Sequence, residues 1–319
     1  PPVLVGVKWR TEGHCYGDNS ALLTINLDEA RITFLGFKWT LRPSKLRALK
    51  AFFEDSQNAT FTAQVSEDCI TVVARRKARR RRSDNILAIS LDINSRYGAA
   101  LLVMSFREGK ATLHELVRVK PPSHGGRRRA AARLKSLATS LQYSIPFGRR
   151  RRYYEEARRA RERERSVNVE YVNRVIAKVG KWLRWGFEKN YGLYVLVDKP
   201  RPETLRNTEL QGTILRICRK IENLVKWHGG RYIEFGNEKR RNISGAYCPL
   251  CGREMKLLYR GNGRRLYYCA ECGITADKDF NTCWNMTMLY FKDKRQAIKE
   301  LVRELGPRAL GAPELGPQA

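Results

Sequence analysis

Apolar residues along the chain fall into short alternating runs, longer helical repeats and a few nearly continuous apolar stretches. Over residues 1–77 the runs are short and bounded by polar residues, which predicts β-strands at 22–27 and 31–35. A hairpin is predicted over 59–74 and a short helix over 44–54. This first part of the chain is therefore expected to be a mostly β domain.

From residue 86 the pattern changes, because residues 86–93 are almost all apolar, as in a strand buried on both faces. Two more apolar runs, at 98–106 and 111–117, flank a Glu-Gly-Lys turn and complete a three-stranded antiparallel meander. The elements expected after it are helices at 127–141 and 149–190, a strand at 193–197, a helix at 202–227, a strand at 231–235 and a helix at 280–288. An RNase H-like α/β core has this element order, with parallel strands following the meander.

The chain has 319 residues, a formal net charge of +30 and a hydrophobic content of 42%. The apolar content excludes wholesale disorder, and the excess of Lys and Arg favours an acidic partner, with nucleic acid as the first choice. A membrane surface is the alternative, but no apolar run approaches the ~18 residues of a spanning helix. Because the chain begins Pro1-Pro2 and its first methionine is Met104, a fragment of a longer protein is expected.

Basic residues are concentrated in segments that cannot pack inside a core. Seven of the eight residues 75–82 are Lys or Arg, and nine of the seventeen residues 149–165 are Arg. Such segments suit the phosphates of RNA or of an RNA–DNA heteroduplex, while the alternative for 149–165 is a solvated helix with Glu–Arg pairs. The candidate nucleic-acid-binding residues are Arg75, Arg76, Lys77, Arg79, Arg80, Arg81, Arg82, Arg127, Arg128, Arg129, Arg149, Arg150, Arg151, Arg152, Arg158 and Arg159.

Four of the eight cysteines have the spacing Cys248-x2-Cys251-x17-Cys269-x2-Cys272. Two Cys-x2-Cys turns at this separation can place four thiolates around one tetrahedral Zn²⁺, so one structural zinc ion is predicted in a ribbon over residues 244–274. The other four cysteines are scattered without a disulfide framework, which is typical of a reducing compartment such as the cytoplasm.

Three aspartates that are far apart in the sequence are expected to meet at one edge of the predicted sheet. Asp92 lies in the first, central strand, Asp198 ends the fourth strand, and Asp279 begins the last helix. Carboxylates held close together stay ionised at neutral pH only with cations between them, and two Mg²⁺ ions about 4 Å apart suit phosphodiester hydrolysis. The structural alternatives are that Asp198 is a turn residue and that Asp279 is a helix N-cap. Asp92 is the hardest to explain structurally, because an unpaired charge in a buried strand is costly.

These motifs resemble those of the transposon-encoded TnpB family, RNA-guided nucleases related to the type V CRISPR effectors, over roughly residues 20–290. Residues 89–94 (Ile-Ser-Leu-Asp-Ile-Asn) look like the first RuvC motif of that family, and residues 275–281 (Thr-Ala-Asp-Lys-Asp-Phe-Asn) resemble the third. The resemblance implies that Asp92 and Asp279 are catalytic metal ligands. Asp277 and Asn281 are expected to support them.

The second motif departs from the family pattern. Family members usually carry Glu after the fourth strand, whereas residues 196–200 (Leu-Val-Asp-Lys-Pro) offer Asp198 as the third ligand. Glu234 is the other candidate, but it lies too close to Cys248 to leave room for the helix between the fourth and fifth strands. An aspartate is one methylene shorter than a glutamate, and the family's recognition lobe is absent or shortened here, so both departures bear on cleavage activity.

The resemblance implies a shortened β-rich wedge-type domain at 1–77, a basic linker at 78–85, a RuvC-like core at 86–243 with an Arg-rich helical insertion at 127–190, the zinc ribbon at 244–274, the end of the core at 275–305 and a disordered tail at 306–319. The implied function is RNA-guided, Mg²⁺-dependent DNA cleavage in a prokaryotic cytoplasm, in association with the nucleoid. Guide RNA and target DNA are the implied partners, with no membrane. Two alternatives stay open: a catalytically impaired nucleic-acid-binding relative and a metal-dependent transposase.

Overall fold

A computed structural model describes residues 3–12, 14–17, 21–54, 60–65, 69–75, 83–94, 97–122, 125–140, 147–200, 210–235, 243–261, 264–306 and 310–311. The chain is a mixed α/β protein with several sheets, as the sequence predicts, and it divides into two compact units, Pro1–Arg79 and Arg80–Ala319. Among the described residues, none of the helices combines the length and the apolar character that crossing a membrane requires.

The described part of the first unit contains one seven-stranded sheet and one helix. Its strands are β1 (Val3–Thr11), β2 (His14–Gly17), β3 (Leu23–Asn26), β4 (Arg31–Phe34), β5 (Phe37–Thr40), β6 (Thr60–Val65) and β7 (Ile70–Arg75), and helix α1 spans Pro43–Glu54. Strand β1 pairs with β6 through its first half and with β2 and β3 through its second half. Trp9 is buried on β1 with its ring stacked 4.2 Å from that of Tyr16 and 4.7 Å from that of Phe53. These aromatic contacts form the centre of the core of this unit.

The second unit contains a five-stranded sheet with the strand order β10-β9-β8-β11-β12. Its strands are β8 (Ile86–Asn94), β9 (Gly98–Arg107), β10 (Lys110–Val119), β11 (Gly192–Asp198) and β12 (Arg231–Phe235). Strands β8 to β10 form the predicted antiparallel meander, and β11 and β12 run parallel to β8. Every residue of β8 from Leu87 to Ile93 is buried, as expected from its continuous apolar pattern.

Helices cover both faces of this sheet. Helices α3 (Phe147–Glu188) and α4 (Gln211–Trp227) pack on one face, and α5 (Lys278–Tyr290) and α6 (Arg295–Leu305) pack on the other. Helix α2 (Gly125–Ser140) lies against α3. The buried hydroxyl groups of Ser90 on β8 and Thr287 on α5 are hydrogen-bonded at 2.7 Å. This bond holds α5 against the central strand.

The sequence interpretation did not place strands β1, β2 and β5 or helix α6. Strand β5 is exposed at all four residues, so it carries no alternation of apolar and polar positions that could reveal it. Helix α6 does carry a signal, because Ile298, Leu301 and Val302 are buried at helical spacing. The predicted helix at 202–227 is observed from Gln211, and its residues 202–209 lie outside the described part of the chain, as does most of the predicted tail.

Candidate functional site

The ribbon, predicted over residues 244–274, ends in a three-stranded antiparallel sheet of β13 (Lys256–Gly261), β14 (Arg264–Cys269) and β15 (Ile274–Asp277), so its last strand extends to Asp277. Each Cys-x2-Cys pair lies in a tight turn closed by a glycine. The Gly252 N–H donates to the Cys248 carbonyl, and the Gly273 N–H donates to the Cys269 carbonyl, both at 2.9 Å. Both glycines have positive φ, 77° and 65°, a conformation that a Cβ disfavours. Two equivalent turns therefore present two thiols each.

The four thiols of Cys248, Cys251, Cys269 and Cys272 meet at one point. Their sulfur atoms all lie within 4.8 Å of one another, and those of Cys251 and Cys269 are 3.6 Å apart. All four cysteines are free rather than disulfide-bonded. Four sulfurs at the corners of a tetrahedron around Zn²⁺, with Zn–S bonds of about 2.3 Å, lie about 3.8 Å apart. The chemistry and spacing of these residues fit one zinc ion.

The base of the ribbon is attached directly to helix α5. The side-chain amide of Asn281, a predicted supporting residue, donates to the carbonyls of Gly245 and Tyr247 at 2.9 and 2.8 Å. Asn285, one turn later, donates to the carbonyls of Ser244 and Tyr247. A Cβ on Gly245 would lie 1.8 Å from the Lys278 carbonyl oxygen, so only glycine allows this approach. The ribbon therefore contacts the first turn of the helix that carries Asp279.

The three predicted metal-binding aspartates line one cavity of about 350 Å³ in the second unit. Asp92 and Asp198 are directly opposite each other on the neighbouring parallel strands β8 and β11. Asp279 reaches the same cavity from the first turn of α5. The structure thus brings these three side chains together at one edge of the sheet, together with Asn94, Arg265 and Lys278.

Burial and the neighbouring carboxylates both disfavour the ionised form of Asp92 in this cavity. Asp92 is only 8% exposed, and burial raises the pKa of its carboxyl well above the ordinary value. The neighbouring carboxylates of Asp279 and Asp198 raise this pKa further, and the positive charges of Lys278 and Arg118 oppose the shift. An ionised Asp92 is therefore costly until a cation enters the cavity.

We expect Asp92→Asn to stabilise the protein in Mg²⁺-free buffer. Because the pKa is raised on folding, the folded state binds the Asp92 proton more tightly than the unfolded state. The wild type therefore loses stability relative to the variant as the pH rises from about 4 through the folded pKa. The Tm of the variant should exceed that of the wild type by a few degrees at neutral pH and should be indistinguishable from it below about pH 4. Thermal unfolding across this pH range tests the prediction, and adding Mg²⁺ should narrow the difference.

Two arginines that the sequence interpretation did not single out hold the carboxylates at the start of α5. The Arg118 guanidinium on β10 donates to Asp277 at 2.6 Å and to Asp279 at 2.5 Å. The Arg265 guanidinium lies 3.4 Å from the second carboxylate oxygen of Asp279. Arg118 lies in β10, where the residues from Leu113 onward are all half-buried, so no local pattern marks it. Its role depends on the strand pairing, which places the end of β10 near α5.

Asp277, rather than Asp279, is the N-cap of α5. Its side chain accepts a hydrogen bond from the Asp279 N–H at 3.0 Å, which corrects the structural reading of Asp279 as the cap. Asp277 is 1% exposed, and burial raises the pKa of its carboxyl while the adjacent Arg118 lowers it. Asp277 thus caps the start of α5 and pairs with Arg118.

Glu234, the rejected alternative to Asp198, lies elsewhere. It is paired with Lys199 at 2.9 Å, and among the described residues it does not belong to the lining of the carboxylate cavity. Its register partner on β11 is Val197.

Three of the predicted phosphate-binding arginines of α3 match the alternative expectation, a solvated helix with Glu–Arg pairs. Arg151, Arg152 and Arg158 form exposed pairs with glutamates one turn later on the same helix. Arg159 is exposed. The side chains of the other candidates lie outside the described part of the chain, namely Arg75, Arg76, Lys77, Arg79, Arg80, Arg81, Arg82, Arg127, Arg128, Arg129, Arg149 and Arg150.

No family model matches the chain, and no curated protein matches it in sequence. Solved structures with a similar fold include the mini RNA-guided endonuclease CRISPR-Cas_phi3, with 10% identity, a TM-score of 0.43 and coverage of 90% of this chain and 58% of that one. The Cas12f1–sgRNA–target DNA complex has 10% identity, a TM-score of 0.36 and coverage of 71% and 55%. CasPhi-2 (Cas12j) bound to crRNA has 9% identity, a TM-score of 0.36 and coverage of 89% and 67%. The chain thus spans only 55% and 58% of the length of the first two.

Proposed function

We propose that the chain is an RNA-guided, Mg²⁺-dependent DNA endonuclease of the TnpB type, and that its five-stranded sheet is an RNase H-like (RuvC) core. The observation that carries the proposal is the convergence of Asp92, Asp198 and Asp279 on one cavity, which Ser244 and Arg265 of the ribbon also line. Burial of Asp92 together with its two carboxylate neighbours makes the ionised form of Asp92 costly, which favours a cation-binding role over a structural one.

In this proposal Asp92 and Asp198 hold divalent cations from two adjacent strand ends, and Asp279 holds them from the helix start. When bound, Mg²⁺ ions stabilise the attacking and leaving oxygens of an in-line phosphodiester displacement. Lys278 and Arg265 line the same cavity and supply positive charge that attracts and orients the phosphate to be cut. Arg118 restricts the Asp279 carboxylate to one orientation through the bond described above.

The four-thiol cluster has a structural role in this proposal. Zinc that binds there fastens the ribbon, whose base holds α5 through Asn281 and Asn285. Thiolate ligands of this kind require a reducing environment, which fits the expected cytoplasmic location. Guide RNA and target DNA are the proposed partners, and the net charge of +30 supports a polyanionic partner.

The test is cleavage of a DNA duplex that matches RNA co-purified with the protein. The wild type is expected to cut it in the presence of Mg²⁺, and Asp92→Ala should reduce the rate by about a hundredfold to a thousandfold, because one preorganised charge at the reacting centre is lost. Asp84→Ala is the matched control, since Asp84 is exposed just before the same strand. Equal rates for the wild type and Asp92→Ala would refute the proposal.

A catalytically impaired nucleic-acid-binding protein is the second candidate. Both carboxylate oxygens of Asp279 are engaged by arginines, and Asp198 stands where a longer glutamate is usual in the family that the sequence resembles. This candidate predicts no product from the wild type and the appearance of product with Asp198→Glu, whose carboxylate reaches about 1.5 Å further. A product with joined strands would instead favour a transposase.

A further inference from the structure

After helix α6 the chain packs against the core of the second unit at Leu310 and Gly311, which we name the C-terminal brace. Leu310 is fully buried and belongs to the same hydrophobic cluster as Phe280, the residue that follows Asp279. A Cβ on Gly311 would lie 2.2 Å from Cδ2 of the Phe280 ring, so the backbone of Gly311 lies directly against this ring. Gly311 also has a positive φ of 68°. Glycine is therefore favoured here twice, by the backbone conformation and by the close approach.

The Phe280 ring connects the brace to the residues that hold Asp279. Phe280 is 7% exposed, and the guanidinium carbon of Arg118 lies over its ring at 5.2 Å from the centroid. Arg118 in turn donates to Asp277 at 2.6 Å and to Asp279 at 2.5 Å. A cation over an aromatic face is attracted to it, and more strongly where water is excluded. One buried ring thus contacts both the brace and the arginine that orients the Asp279 carboxylate.

The position of the Arg118 guanidinium depends on this ring. Its two Nη atoms are fixed by the carboxylates, but its Nε has no hydrogen-bond partner among the described residues. The guanidinium can therefore tilt about its two ion pairs unless its face is supported, and Phe280 supplies that support. Phe280 keeps its own place while the brace fills the space beside the ring, because a close-packed core leaves a side chain little freedom.

We propose that the C-terminal brace positions the Asp279 carboxylate for divalent cations, and that it acts through Phe280 and Arg118. This inference rests on the proposed function, in which Asp279 is a metal ligand. Leu310 and Gly311 are positioning residues, because neither belongs to the described lining of the carboxylate cavity. Metal affinity depends closely on ligand geometry, and loss of a group that orients a ligand from behind typically weakens metal binding by about tenfold to a hundredfold.

The first test compares Gly311→Ala with Gly109→Ala. Gly109 also has a positive φ, 77°, but a Cβ there would meet nothing within 4 Å, so this control has the backbone strain without the clash. Binding of Mn²⁺, which prefers oxygen ligands as Mg²⁺ does, is measured by electron paramagnetic resonance on zinc-loaded protein, below the unfolding range of every variant. Gly311→Ala should bind Mn²⁺ about tenfold more weakly than the wild type, and Gly109→Ala should stay within about twofold. Equal affinities of the two variants would overturn the proposal.

A double-variant cycle tests whether the brace acts through the ring. Phe280→Leu removes the aromatic face under Arg118 and should itself weaken Mn²⁺ binding by about tenfold. In that background Gly311→Ala should have little further effect, because the smaller side chain leaves room for the new methyl group. Losses that multiply would contradict the proposal. A chain that ends at Gly306 lacks the brace and introduces no clash, so it should match Gly311→Ala; wild-type affinity of this chain would also contradict the proposal.

The variant Asp92→Ala, measured in the same Mn²⁺ titration, separates this inference from the proposed function. If Asp92→Ala binds Mn²⁺ more weakly but Gly311→Ala binds like the wild type, the metal site stands and the brace is wrong. If Gly311→Ala alone weakens binding, the brace stands and the site formed by the three aspartates fails. If neither variant changes the affinity, both are refuted. Weaker binding by both variants, with Gly109→Ala unchanged, supports both.

Discussion

Removal of zinc is expected to unfold the ribbon. Its sheet contributes little core of its own, because Leu257, Leu258 and Tyr259 of β13 are largely exposed, and β14 buries only Leu266 and Cys269. A metal ion on four thiolates contributes an apparent free energy of about 10–16 kcal/mol in small zinc modules, far more than these contacts supply. Treatment with a strong zinc chelator should therefore abolish amide hydrogen-exchange protection across β13, β14 and β15.

The same result is expected for Cys248→Ser, which removes one ligand. Cys69→Ser is the matched control, since Cys69 is an exposed cysteine of the first unit, and it should leave exchange and zinc content unchanged. Elemental analysis of the wild type should give one zinc per chain. Full exchange protection of the ribbon in zinc-free protein would contradict the structural role of the metal.

Within the carboxylate cavity, zinc loss should loosen only the side that is formed by the start of α5. Asn281 and Asn285 would lose their backbone partners at the base of the ribbon, so the start of α5 and the position of Asp279 would loosen. Asp92 and Asp198 belong to the sheet and are held by their own strand pairing. Exchange protection of β8 and β11 should therefore survive zinc removal, while the proposed DNA cleavage should be lost.

Arg118→Met is expected to destabilise the protein by about 3–5 kcal/mol, because it leaves the buried Asp277 carboxylate without its ionic partner. The corresponding fall in Tm is about ten degrees. Urea or thermal unfolding measures the loss. The double variant Arg118→Met, Asp277→Asn should recover part of it, because the second change removes the uncompensated charge.

Arg107→Met is the matched control for this prediction. Arg107 lies on the neighbouring strand β9 and is paired with Glu108 at 3.0 Å, but both side chains are mostly exposed, so its loss should cost less than about 1 kcal/mol. If Arg118→Met were no more destabilising than Arg107→Met, the paired carboxylates at the start of α5 would not depend on Arg118.

Much of the core of the second unit is predictable from local pattern. Strand β8 is recognisable because its apolar residues are continuous, and the meander that follows is recognisable because a Glu-Gly-Lys turn separates two apolar runs. Helix α6 was predictable but missed, although Ile298, Leu301 and Val302 mark its buried face. Strand β5 was not predictable, because its exposed residues follow no period.

The amino-acid sequence alone determined the positions of the thiols and the identity of the carboxylates. Cys-x2-Cys-Gly turns are local structures whose geometry depends on nearby residues, so the four-thiol cluster could be foreseen from spacing. Asp92 was conspicuous because a charge in a buried apolar strand is energetically unfavourable.

Which charges meet depends on the tertiary structure. The register of β11 on β8 places Asp198 opposite Asp92, and the end of β10 brings Arg118 to Asp277 and Asp279 across a long stretch of sequence. Contacts of this kind come from strand pairing and helix packing, which no local periodicity encodes, because each partner alone is an ordinary surface or strand residue.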